Sequence, residues 1–71
     1  MEPKDFWEDK DWAIENYARL QRKYRDKWVA VVGKKVVSSG ENRGEVKKRA
    51  MEVTGKKHIP LIFVESGAAI Y

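Results

Sequence analysis

The chain contains no cysteine. That absence excludes disulfides, thiolate zinc sites and cysteine nucleophiles together, and it fits a reducing compartment. Histidine occurs once, at His58, so no zinc site built from several imidazoles can form. Uninterrupted apolar runs reach only about five to six residues, far short of the roughly 20 that span a bilayer. The stretch from Met1 to Asp11 is acidic and lacks the basic start and apolar segment of a secretory signal. These absences point to a soluble, cytoplasmic protein with no membrane association. Glutamine and asparagine are also scarce (Gln21, Asn16 and Asn42) beside abundant lysine and glutamate, a bias that suits a thermophile.

What is present is a foldable composition. Charged residues make up 37% and hydrophobic residues 42% of the 71 positions, which is too apolar for a disordered chain. The length allows one domain, residues 1–71. A chain this short buries a smaller share of its surface than a large one. Its stability must come from core packing, from good helices or from a second copy of itself.

The net charge is +4, unevenly spread. Residues 1–16 hold six acids against two bases, a net of −4, so residues 17–71 carry +8. Asp5 followed by Glu8 has capping-box spacing and opens a helix expected to run to about Arg25. Trp7, Ile14, Tyr17, Ala18, Leu20 and Tyr24 recur at three- and four-residue steps as its apolar stripe, widened by Phe6, Trp12 and Ala13. Acids at the front and Arg19, Arg22, Lys23, Arg25 and Lys27 at the back complement the helix macrodipole. Much of the polarity is therefore ordinary charge placement.

Residues 28–32 (Trp-Val-Ala-Val-Val) carry no charge and predict a strand covered on both faces. Gly33-Lys34 then predicts a two-residue hairpin loop, type II′ because glycine comes first. Val36 and Val37 continue as an edge strand that fades into Ser38-Ser39-Gly40. A second helix follows, with Asn42 and Glu45 at capping spacing, a narrow stripe of Val46, Ala50 and Val53, and Gly55 as its stop. Ile59 to Val64 predicts the last strand, with Pro60 at its start. The fold class is α+β: helix-strand-strand-helix-strand, with a three-stranded, mostly antiparallel sheet of order 2-1-3 packed by two helices. The exposed edge of the third strand (Ile62, Val64) and the apolar tail (Ala68, Ile70, Tyr71) are the expected contacts of a homodimer or a protein partner. Residues 66–71 are otherwise expected to fold back or fray.

The run Trp28 to Val32, the turn, Lys35-Val36-Val37-Ser38-Ser39-Gly40, the helix with Glu45-Val46-Lys47-Lys48-Arg49-Ala50 and the strand Pro60 to Ser66 together resemble a small uncharacterised domain family of archaea and bacteria. The resemblance covers about residues 14–65. In that family the turn is usually Asp-Gly-like, where this chain has Gly33-Lys34, and the helix usually lacks the glycine found here at Gly44. The resemblance implies the same fold and transfers no activity and no site residue.

Chemistry-bearing patterns are sparse. Asp9, Asp11 and Glu15 cluster in sequence, but acids in a first helix are normally solvated, and a weak cation site is the lesser reading. Ser38-Ser39-Gly40 stands before a helix, where capping explains it better than anion binding. No nucleophile–base pair is evident, so neither an enzyme nor a cofactor is expected. The leading expectation is a protein-interaction or self-assembling module. The alternative is sequence-nonspecific nucleic-acid binding through the hairpin turn and the second helix, by Lys34, Lys35, Arg43, Lys47, Lys48, Arg49, Lys56 and Lys57. Trp28 and Phe63 are expected to be buried in their strands, and Trp7 and Trp12 sit among acids that repel phosphates.

Overall fold

In the computed structural model the described residues are 3–65. β1 (Lys27–Val31) is the centre of a three-stranded antiparallel sheet of order β2-β1-β3. β2 (Val36–Gly40) pairs with it through Trp28↔Gly40 and Ala30↔Ser38. β3 (Leu61–Val64) pairs through Trp28↔Phe63 and Ala30↔Leu61. The uncharged run from Trp28 to Val32 follows from this position: Val29 and Val31 point to one face, Ala30 and Val32 to the other, and all four are buried.

Each face has its own core. On one side α1 (Lys4–Glu15) and α2 (Tyr17–Lys23) bring Ala13 and Leu20 against Val29, Val31 and Val64. On the other, α3 (Arg43–Thr54) brings Val46 and Ala50 against Ala30, Val32 and Ile59. Asn42 caps α3 by accepting from the Glu45 N–H at 3.0 Å, and Gly55 ends it in the left-handed region at φ 72°. α3 lies over β1 and β2. Gly40 permits that approach, since a Cβ there would meet Val46 Cγ2 at 3.2 Å.

Several expectations are corrected. The first helix is two helices. Asn16 Nδ2 donates to the Trp12 carbonyl at 2.8 Å, the same oxygen its own N–H reaches at 2.9 Å. This side-chain competition for a backbone acceptor accompanies the interruption at Asn16. The expected stripe is only partly buried: Leu20 lies in the core, while Trp7 and Ile14 are exposed. The capping position of α1 is Pro3 rather than Asp5. Val53 also faces solvent, because α3's buried side narrows to Val46 and Ala50.

The hairpin turn has positive φ at both Gly33 (64°) and Lys34 (60°), the requirement of type I′ rather than II′. A left-handed lysine costs about 1–2 kcal/mol. The offset comes from Asp9, whose Oδ2 accepts from Gly33 N at 3.1 Å and whose Oδ1 accepts from Lys34 N at 2.9 Å. Charge-assisted hydrogen bonds of this kind are among the strong ones. Asp9 is thus a buried clamp and not a solvated acid. Asp11 and Glu15 are exposed.

The edge of β3 is also not as expected. Val64 O accepts from Asp26 N on the β1 side at 2.6 Å, so by alternation Phe63 and Glu65 present their backbone groups to the free edge. Tyr17 occupies them: its hydroxyl donates to Phe63 O at 3.3 Å and accepts from Glu65 N at 2.9 Å. Gln21 Nε2 donates to Glu65 O at 3.3 Å. Val64, expected at an interface, is fully buried, and Ile62 packs against the same core. Ala68, Ile70 and Tyr71 lie outside the described residues.

Candidate functional site

Where α1, the start of α3 and the α3–β3 loop meet, they leave a cleft of about 230 Å³. Its polar wall is Lys10, Arg43, Lys47, Lys57 and His58, and its apolar floor is Phe6, Ile59, Pro60 and Leu61. No carboxylate stands among these lining residues. Like charges drawn together from three separate segments repel one another, and that repulsion is relieved when an anion enters.

Local structure places each group. Arg43 and Lys47 are one turn apart at the start of α3, behind the Asn42 cap. Gly55 reverses the chain and delivers Lys57 and His58 to the opposite lip. Asp5 and Lys56 form an ion pair at 2.6 Å that ties the first turn of α1 to this loop. Phe6 and Lys10 thereby face Lys57 across the cleft. The hydrogen bond from Lys56 holds the Asp5 carboxyl below its ordinary value, and the same bond raises Lys56. Both side chains are about half exposed, so solvent screens the pair.

An aromatic platform adjoins the cleft. The Arg43 guanidinium lies 5.6 Å above the Trp28 ring, within cation–π range. Trp28 meets Phe63 edge to face, with centroids 5.4 Å apart and an interplanar angle of 62°. Phe63 sits on the α3 side of the sheet, beyond the strands α3 covers, and is 39% exposed. Trp28 is half-buried. The expectation that both rings are buried therefore fails for Phe63.

Of the eight basic residues singled out from sequence, Arg43, Lys47 and Lys57 line this cleft. Lys48 and Arg49 share another surface with Glu45 and Glu52. Lys56 is taken by Asp5. Lys34 lends its N–H to Asp9 at the turn. Lys35 lines a second cleft, of about 240 Å³, on the α1–α2 side with Trp12, Arg19, Lys23 and Tyr24. There Arg19 is bonded to Asn16 Oδ1 at 3.3 Å, and the Lys23 ammonium lies 5.6 Å from the Tyr24 ring. Sequence reasoning gave Lys10 and His58 no role at a site, placed Phe6 in the helix stripe and read Phe63 as buried. One signal could have found Phe63: a second helix with so narrow an apolar stripe cannot cover three strands, so one strand must stay open on that side.

Among the described residues no three His, Cys, Asp or Glu side chains group as metal ligands. No helix there is long and apolar enough to cross a membrane. Comparison with curated proteins and with solved structures gives no match. Residues 19–66, more than half the chain, match the model described as a family of unknown function (DUF5678), and the chain belongs to that family.

Proposed function

We propose that this small domain binds nucleic acid, with phosphates held in the cleft between α1, α3 and the α3–β3 loop. The observation that carries the reading is the convergence of Lys10, Arg43, Lys47, Lys57 and His58 on one cavity with no carboxylate in its lining. Phosphate contacts by lysine and arginine release condensed counterions, which favours binding at low salt. The competing expectation, association through the third strand, has less support. Val64 and Ile62 are used by the core, and Tyr17 and Gln21 occupy the edge at Phe63 and Glu65.

Fluorescence anisotropy with a labelled oligonucleotide tests the proposal. Affinity should fall linearly with the logarithm of salt. Four phosphate contacts on a single strand give a slope of about −3. Reversing Lys47 and Lys57 together to glutamate should weaken binding about a hundredfold or more. The same charge change at Lys48 and Arg49, which lie outside the cleft, should cost far less. Equal losses from the two double variants would reduce the cleft to nonspecific basicity and refute it as the site.

A further inference from the structure

Resting on the nucleic-acid reading, we infer that the ligand is single-stranded and that one of its bases stacks on Phe63. A sheet this small would ordinarily bury a phenylalanine in its strand, since a ring carries a large apolar area. Here Phe63 is left open because α3 lies chiefly over β2 and β1. The ring is also held in place. Trp28, directly opposite it in the β1–β3 register, supports it edge to face. Trp28 in turn lies beneath the Arg43 guanidinium, which is itself part of the cleft wall.

Cations and aromatic surface are therefore continuous. Arg43 belongs to both, and Leu61, on the same face of β3 as Phe63 and two residues before it, belongs to the cleft floor. A strand whose phosphates lie along Lys47, Arg43 and Lys57 carries its neighbouring base over β3. The bases of a duplex are stacked on one another and have no free face to offer. Those of a single strand do, and aromatic platforms beside a basic groove bind them with little regard to sequence. An acidic peptide would satisfy the cations but need not bring an aromatic ring, whereas every nucleotide carries one. The charge complementarity and the open ring together favour the nucleic acid.

The test uses the full chain and three labelled ligands: a short oligothymidylate, an abasic phosphodiester of the same length, and a long blunt-ended duplex. Oligothymidylate should bind about tenfold more tightly than the abasic strand, the low-to-middle range of one base–aromatic stack. Phe63→Ala should remove that advantage, leave the abasic strand and the salt slope unchanged, and leave the duplex unaffected. Phe63→Leu keeps an apolar strand residue without a π-face and should behave as Phe63→Ala, which separates stacking from loss of fold. Phe63→Trp should keep the advantage. If the abasic strand binds as tightly as oligothymidylate, or if Phe63→Leu retains the preference, stacking on Phe63 is wrong while the basic cleft stands. If none of the three ligands binds with salt dependence, the cleft reading itself is wrong and this inference falls with it.

Discussion

The two faces of the sheet are built from the same three strands but finished differently. On the α1–α2 side, two short helices joined at Asn16 cover the sheet, and their side chains occupy its loose ends: Asp9 at the hairpin turn, Tyr17 and Gln21 at the edge of β3. On the α3 side, one helix covers β1 and β2 and leaves Phe63 uncovered beside a basic cleft. The difference teaches how a chain of 71 residues divides its labour. Each face carries its own core, and the α3 side also leaves Phe63 exposed beside a cleft lined by Lys10, Arg43, Lys47 and Lys57. Mutations in the α1–α2 core and in that cleft should therefore dissociate stability from binding.

The largest expected effect is on the closed face. Leu20 is buried against Val29, Val31 and Val64. Leu20→Ala should destabilise the domain by about 3 kcal/mol, lowering Tm by roughly 12–24 °C for a domain of this size. The fraction still folded should bind oligonucleotide with unchanged affinity. Thermal melts followed by circular dichroism, with anisotropy below the transition, check both halves. A proportionate loss of intrinsic affinity would mean that the faces are not separable.

An intermediate effect is expected at the edge. Tyr17→Phe keeps the ring and removes the hydroxyl that bridges Phe63 O and Glu65 N. The stability cost should be about 1 kcal/mol or less, since those groups can turn to water. The larger consequence is an unblocked strand edge, which invites pairing with a second copy. Sedimentation velocity should show association rising with concentration in the variant more than in the wild type. Identical profiles would show that Tyr17 does not guard the edge.

The smallest effect belongs to the exposed pair Asp5–Lys56. Asp5 is lowered from 3.8, so its contribution is present above that value and lost as pH falls through the lower folded value. Lys56 is raised from 10.5, so its contribution is present below that value and lost as pH rises through the higher folded value. Between the two, the difference in Tm between wild type and Asp5→Asn should be slight, constant with pH and reduced by salt. A difference that grows on acidification below 3.8 would contradict this account.

Much of the framework was legible because its signals are local. The uncharged run from Trp28 to Val32 announced a central strand, and Asn42 and Gly55 marked the ends of α3. What escaped depended on contacts across the chain. The break at Asn16 is hidden because the apolar period continues through it, and only the side chain's bond to the Trp12 carbonyl reveals it. The turn type follows from a carboxylate far away in sequence, against the preference of Gly33-Lys34 read by itself. Arg43, Lys47 and Lys57 were recognisable as basic, but their meeting with Lys10 required the placement of α1. Phe63 was misjudged because strand residues are buried only where a neighbouring element is wide enough to cover them.

The Asp9 clamp has a mechanical consequence. Asp9 is fastened to the tip of the hairpin, and the next residue, Lys10, stands in the cleft wall. The hairpin tip is therefore a fulcrum for the helix that forms one side of the site, with the Asp5–Lys56 pair as a second point of attachment one turn earlier. Loosening the fastening at Gly33 and Lys34 would let Lys10 swing, blurring the seat of a ligand that neither turn residue touches.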